Sequence, residues 1–82
     1  MVKNITHAPI FQKKFERLDK SYSERVKKLI IKIIEHPEIG KPMRYDKKGS
    51  REVYLSPFRL SYNYDLFTEH LTFLNRYHKD EQ

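Results

Sequence analysis

The segment Gly49–Asp65, GSREVYLSPFRLSYNYD, decides the fold of this 82-residue chain. Apolar or aromatic residues alternate with polar ones along it, at Val53, Leu55, Phe58, Leu60, Tyr62 and Tyr64. Successive side chains of a strand point to opposite faces of a sheet, so this alternation predicts strands with one buried face. The pair Ser56-Pro57 interrupts the pattern, because proline cannot donate a hydrogen bond to a sheet ladder. The segment therefore predicts two strands with a break between them.

A further strand is predicted over Leu71–Tyr77. The apolar pair Phe73-Leu74 places apolar side chains on both faces of this strand, which indicates a central and well-covered position in the sheet. The LFTEH stretch before it is typical of a turn, so the last two strands are expected to form a hairpin.

Two amphipathic helices are predicted over Ala8–Leu18 and Tyr22–His36. Apolar residues follow the 3.6-residue period in both segments. Ser21 or Ser23 is placed to cap the later helix, and Glu24 would complete a capping box with Ser21. The short link between the helices predicts that they pack as an antiparallel αα-hairpin.

The predicted order of elements is β-α-α-β-β-β, with a short first strand over Met1–Thr6. This order is typical of an α+β domain in which the αα-hairpin packs on one face of an antiparallel sheet. We expect a single domain over residues 1–82, because a chain of this length has no room for a second core. The stretch over residues 36–50 contains prolines and glycines and predicts a loop between the two halves.

Basic residues outnumber acidic ones by 17 to 11, which gives a net charge of +6 and a pI near 9.6. Such an excess in a small domain is typical of proteins that bind nucleic acid or an acidic partner. The chain has no cysteine, which excludes disulfides and thiolate zinc sites. No secretory signal opens the sequence and Lys32 interrupts the longest apolar run, so we expect a cytoplasmic protein without a membrane span.

The last 34 residues carry a further pattern: a glycine, a basic-acidic-aliphatic stretch, an aromatic-Arg-aliphatic-x-Tyr strand and a final histidine-basic pair. The residues that form it are Gly49, Arg51, Glu52, Val53, Phe58, Arg59, Leu60, Tyr62, His78 and Lys79. This pattern resembles the RelE/ParE superfamily of toxins from bacterial and archaeal toxin–antitoxin modules. The helical half matches that superfamily in layout, so the resemblance implies a RelE-like fold for the whole chain.

The resemblance implies an endonuclease that cuts mRNA in the ribosomal A site. The ribose 2′-OH would attack the neighbouring phosphate, with no metal, no other cofactor and no small-molecule ligand. Arg59 would stabilise the phosphate, because a guanidinium binds phosphate oxygens through paired donors and keeps its proton. His78 would be the general acid, since imidazoles titrate near neutral pH, and Lys79 would add a cation. The expected hairpin brings Arg59 within a rung or two of Arg76 and His78, which share one face.

Other side chains would contact the RNA if the resemblance holds: Lys41, Arg44, Lys47, Lys48, Arg51, Tyr54 and Arg76. Cations would bind phosphates in a salt-sensitive way that is independent of base sequence. Tyr54 and Tyr77 would stack on unpaired bases. The same residues are equally compatible with a solvated loop and an ordinary strand surface. The partners implied are the ribosome, mRNA and a small acidic antitoxin.

Two departures from the family pattern leave other functions open. Tyr54 stands where many active members have a second basic residue, and no tyrosine follows the pair His78-Lys79. The general base is therefore left unassigned. The alternatives are a ParE-like inhibitor of DNA gyrase, a catalytically decayed toxin that only binds its antitoxin, and a small basic RNA-binding module.

Overall fold

Two helices pack on one face of a five-stranded sheet in the computed structural model, which describes residues 1–43 and 49–78. The elements are β1 (Asn4–His7), α1 (Pro9–Glu16), α2 (Lys20–Glu35), a 3-10 helix (Pro37–Ile39), β2 (Lys41–Pro42), β3 (Ser50–Leu55), β4 (Phe58–Asp65) and β5 (His70–His78). The predicted α+β class is confirmed. The two-residue strand β2 lies in the stretch that was predicted to be a loop.

The strands follow the order β1-β5-β4-β3-β2 across the sheet. Three of the pairings are antiparallel, but β1 runs parallel to β5, so the sheet is mixed rather than purely antiparallel. A tight hairpin forces antiparallel pairing, whereas β1 and β5 are separated by most of the chain and can pair in either direction. β5 lies between β1 and β4, which confirms the central position predicted from the pair Phe73-Leu74.

Each helix begins at a residue that suits its first turn. Pro9 occupies the first turn of α1, where a missing N–H leaves no hydrogen bond unmade. The carboxylate of Asp19 caps α2 by accepting a hydrogen bond of 2.8 Å from the backbone N–H of Tyr22. The predicted capping box of Ser21 and Glu24 is wrong, because α2 begins at Lys20 and both residues already lie inside it. Across the described residues, neither helix is long and apolar enough to cross a membrane.

The core lies between the two helices and the inner face of the sheet. Its buried members are Phe11, Ile33, Leu60, Tyr62, Leu71 and Phe73. The rings of Phe11 on α1 and Phe73 on β5 stack with their centroids 5.4 Å apart. Burial of aliphatic and aromatic side chains of this size contributes about 1.5–3 kcal/mol each. The alternation along β4 therefore holds the αα-hairpin against the sheet.

A buried tyrosine ties the edge of the sheet to this core. The hydroxyl of Tyr62 donates to the carbonyl of Pro37 at 2.7 Å and accepts from the N–H of Gly40 at 2.8 Å. Gly40 has no space for a side chain, since a Cβ there would lie 2.5 Å from the Tyr62 hydroxyl oxygen. Burial raises the pKa of Tyr62, which keeps its hydroxyl protonated. These contacts fix the start of β2 beside β3.

Candidate functional site

The face of the sheet opposite the helices carries a group of polar and aromatic side chains at one end of β3, β4 and β5. Tyr54, Arg59 and Tyr77 are paired across these three strands, so their side chains lie side by side on one face. Glu52 shares this face, two residues along β3, and pairs with Lys41 of β2. We call Lys41, Glu52, Tyr54, Arg59 and Tyr77 the open-face cluster.

Glu52 lies at the centre of the open-face cluster. Its Oε1 accepts from Nη1 of Arg59 at 3.3 Å, and its Oε2 accepts from the hydroxyl of Tyr77 at 2.6 Å. Ser61 of β4 pairs with Glu52 on one side and with Asn75, two residues before Tyr77, on the other. Its small side chain is only 4 % exposed, although it belongs to the face without helices. A serine at this position leaves room for the side chains of Glu52 and Tyr77 to meet across β4.

The environment of Tyr77 keeps its hydroxyl protonated. Burial, the hydrogen bond to Glu52 and the negative charge of Glu52 together raise the pKa of Tyr77 to about 12, while Arg59 opposes them. Tyr77 therefore remains a neutral donor to Glu52 over the physiological pH range. Glu52 and Arg59 are both partly accessible, with side chains 21 % and 34 % exposed, so a ligand can reach them from solvent.

The face covered by the helices carries a second group. Arg76 pairs with Leu60 and His78 pairs with Phe58, so these two basic side chains share one face, as predicted. The guanidinium carbon of Arg76 lies 4.0 Å from the ring centroid of Phe58, and the His78 ring meets the edge of the same ring at 5.8 Å. The ring of Tyr22 on α2 also makes an edge contact with Phe58, with the ring centroids 5.5 Å apart.

Arg59 and His78 are therefore neighbours along the strands but lie on opposite faces. The predicted separation of a rung or two is confirmed, since Arg59 pairs with Tyr77 and the next pair is Phe58 with His78. The sheet lies between Arg59 and the other two side chains, so a single site that uses all three would have to include the ends of β4 and β5.

A β-bulge causes this separation. Ser61 pairs with Asn75 but the next residue, Tyr62, pairs with Phe73, which leaves Leu74 as an extra residue in β5. An uninterrupted strand would place residues 76 and 78 on the face opposite Phe73, together with Arg59. The extra residue reverses the alternation, so residues 76 and 78 share the covered face with Phe73.

Comparison with known proteins gives a match in structure but not in sequence. No protein-family model matches the chain, and no curated protein matches it. The isolated RelE toxin of E. coli superimposes with a TM-score of 0.80 at 17% identity, over 96% of this chain and 86% of that one. This chain has the RelE fold. A YoeB/ParE toxin of Agrobacterium tumefaciens superimposes with a TM-score of 0.80 at 17% identity, over 93% of this chain and 98% of that one. An archaeal RelE–RelB complex of Pyrococcus horikoshii gives a TM-score of 0.77 at 12% identity, over 100% of both chains.

On this RelE fold, the other predicted contact residues are dispersed. The Nη1 atom of Arg51 donates to the carbonyls of Glu38 and Gly40 at 3.0 and 2.7 Å, so this side chain links the 3-10 helix to β3. Tyr54 is 55 % exposed and Lys41 is exposed, which leaves both available on the open face. Four predicted site residues lie outside the described residues: Arg44, Lys47, Lys48 and Lys79.

Glu52 was not among the predicted site residues, although it belongs to the family pattern. Its signal in the sequence is positional. A hairpin closed by the two residues Ser56 and Pro57 pairs Tyr54 with Arg59 and puts Glu52 diagonally next to Arg59. Side chains of opposite charge at diagonal positions of a hairpin are within reach of each other. The contact of Glu52 with Tyr77 joins β3 to β5 across β4, so the length of one hairpin does not predict it.

Proposed function

We propose that this chain is the toxin of a toxin–antitoxin pair and that it inhibits translation by cleaving mRNA in the ribosomal A site. Two observations support the proposal together: the RelE fold, and the placement of Arg59 between Tyr54 and Tyr77 on the face without helices. A guanidinium flanked by two aromatic side chains is suited to bind one phosphate and to stack the bases on either side of it. The placement of Arg59 carries the proposal.

In the proposed reaction the 2′-oxygen of a ribose attacks the adjacent phosphorus atom. The bond from phosphorus to the 5′-oxygen breaks, which leaves a 2′,3′-cyclic phosphate and a 5′-hydroxyl. Arg59 stabilises the charge that builds on the phosphate oxygens, the effect that is usually the largest in such reactions. Lys41 adds positive charge on the same face, and the reaction needs no metal in this scheme.

His78 remains the proposed general acid for the leaving 5′-oxygen. It is the last described residue of β5 and lies on the covered face, so the RNA must pass over the ends of β4 and β5 to reach both His78 and Arg59. Lys79 is the proposed second cation. We therefore expect removal of the Arg59 side chain to lower the rate of mRNA cleavage more than removal of the His78 side chain.

Inhibition of DNA gyrase, or antitoxin binding without catalysis, is the second candidate. Two features favour it: Arg59 is already paired with Glu52, and the sheet separates Arg59 from His78. One of the fold neighbours is described as a YoeB/ParE toxin. In either case we propose an acidic antitoxin as the partner, because the chain carries a net charge of +6 and its fold neighbours include RelE–RelB complexes.

Primer extension on an mRNA in a purified translation system tests the nuclease. Wild-type protein should cut inside the A-site codon only when ribosomes are present. Arg59→Ala should reduce the rate of cutting by roughly 10²–10³-fold, whereas Arg17→Ala, an exposed arginine at the end of α1, should cut like wild type. An absence of cuts from folded wild-type protein would overturn the nuclease, and a supercoiling assay with purified gyrase would then test the second candidate.

The antitoxin is tested separately, by co-expression with any short acidic reading frame adjacent to this gene. We expect the two products to co-purify and the toxicity of this chain to be suppressed. A chain that is non-toxic when expressed alone, with no co-encoded binder, would contradict the toxin assignment itself.

A further inference from the structure

We propose that Glu52 is the general base that takes the proton from the ribose 2′-OH, an inference that rests on the proposed ribonuclease function. The residue-type pattern of the sequence left this role unassigned. The structure supplies a carboxylate directly beside the proposed phosphate-binding arginine, at 3.3 Å from its Nη1. In residues 1–43 and 49–78, no other carboxylate lies within salt-bridge distance of Arg59.

The position of Glu52 fits the attacking atom. In RNA the 2′-hydroxyl is a neighbour of the phosphate that it attacks, so a phosphate bound by Arg59 brings the 2′-oxygen to the groups next to Arg59. A guanidinium has five N–H donors, and the contact of Arg59 Nη1 with Glu52 uses one of them. A general base must come within hydrogen-bond reach of the proton that it removes, and Glu52 is the carboxylate placed to do so.

The proton and electron balance of the step is complete. The Glu52 carboxylate accepts the proton of the 2′-OH, and the freed electron pair on the 2′-oxygen forms the bond to phosphorus. The phosphorus–5′-oxygen bond breaks, and the 5′-oxygen takes a proton from the general acid, for which His78 is the candidate. Protonated Glu52 then returns its proton to solvent.

Tyr77 is a positioning residue in this scheme. Its hydroxyl donates to Oε2 of Glu52 at 2.6 Å, which fixes the carboxylate and turns Oε1 toward Arg59. The other titratable or charged groups that face Glu52 are Arg59 on β4 and Lys41 on β2, with Tyr54 on its own strand.

A purely structural role for Glu52 makes a different prediction. A partly exposed ion pair contributes little to stability, and its loss would not change the pH dependence of the reaction. A general base instead gives an acidic limb in the pH–rate profile, where the rate rises as the carboxylate loses its proton. Glu52→Gln separates a structural role from the role of general base, because glutamine keeps the size of the side chain and an oxygen that can accept from Tyr77.

The test is single-turnover cleavage of ribosome-bound mRNA from acidic to neutral pH. Wild-type protein is compared with Glu52→Gln, Glu52→Asp and Tyr77→Phe, and with Glu24→Gln as a control that removes one exposed carboxylate on α2. Binding is measured in parallel with an mRNA that carries a 2′-O-methyl group in the A-site codon, which cannot be cut. Thermal unfolding of each variant establishes that it is folded.

If Glu52 is the base, Glu52→Gln loses about 10²–10⁴-fold in rate and the acidic limb disappears. Its affinity for the 2′-O-methyl mRNA is unchanged or higher, Glu52→Asp recovers part of the rate, and Tyr77→Phe loses less than Glu52→Gln. Glu24→Gln matches wild type.

Cleavage by Glu52→Gln within about threefold of wild type, or an equal loss in binding and in rate, would overturn the assignment of Glu52 and leave the nuclease intact. No cleavage by wild-type protein that binds the uncleavable mRNA would overturn both the nuclease and its base. The two failures are therefore distinguishable in one set of measurements.

Discussion

The two faces of this sheet are built from the same strands but are held by different forces. The covered face is closed by ring packing and by a buried hydroxyl that bridges Pro37 and Gly40. The open face is held by one carboxylate that joins an arginine and a tyrosine, all partly accessible. Packing stabilises the fold, whereas exposed ionic contacts contribute little to stability and can be exchanged for a ligand. Substitutions on the first face should therefore affect stability, and those on the second should affect function.

The largest expected effect is on the covered face. Phe73→Ala removes a fully buried ring of β5 that packs on α1, and it should lower the free energy of unfolding by about 3–5 kcal/mol. Tyr54→Ala removes an exposed ring of the open face and should change the free energy of unfolding by less than about 0.5 kcal/mol. Urea denaturation of both variants measures the difference. Similar losses of unfolding free energy in the two variants would contradict the claim that the covered face stabilises the fold more than the open face does.

Two arginines one rung apart, on opposite faces, sharpen the comparison. Arg59→Met should reduce mRNA cleavage by roughly 10²–10³-fold with little change in stability. Arg76→Met replaces a guanidinium packed on Phe58 by an apolar chain of similar length, so it should leave stability unchanged or higher and should retain cleavage. Equal losses of cleavage would mean that Arg76 contacts the RNA, and would contradict the reversal of faces by the bulge at Leu74.

A smaller effect is expected at Tyr62. Tyr62→Phe removes the hydroxyl and leaves the buried N–H of Gly40 and carbonyl of Pro37 without this partner, which should cost about 1–3 kcal/mol of unfolding free energy. Tyr64→Phe on the same strand is the control and should cost less. Chemical denaturation of the pair checks this. An equal loss from both substitutions would show that the two hydrogen bonds are not the cause.

The smallest effect concerns Tyr77 and alkaline pH. Its pKa in the folded protein is about 12, above the value near ~10 of an unfolded tyrosine, so the folded state holds this proton more tightly. The resulting stability is fully present below about pH 10 and is lost as pH rises toward about 12. Because the site is partly solvated, we expect about 1 kcal/mol or less.

Ultraviolet titration of tyrosinate absorbance measures this shift directly. Tyr77→Phe should remove the step with the highest pKa, and Glu52→Gln should move that step downward, because it removes the negative charge that disfavours tyrosinate. An unchanged titration curve in Glu52→Gln would contradict the contact between Glu52 and Tyr77.

Most of the fold could be predicted from local patterns, and most of the site could not. The helices and the three later strands follow from periodicity, because burial of one face imposes it on the sequence. The cap of α2 was placed wrongly because Asp19, Ser21 and Ser23 are all competent caps, and only the observed start at Lys20 selects among them. The parallel pairing of β1 with β5 leaves no local trace, since it depends on where the rest of the chain returns.

The sequence by itself determined the α+β class, the αα-hairpin and the central position of the last strand, because each follows from apolar periodicity or from the length of one connection. Only the tertiary structure decided which face of the sheet Arg76 and His78 occupy and which groups meet across neighbouring strands. A single extra residue, Leu74, places Arg76 and His78 against the helices, and Ser61 lets Glu52 reach Tyr77 across a strand. The physical reason is that alternation counts residues along one strand, whereas a bulge and a contact across three strands depend on how neighbouring strands align.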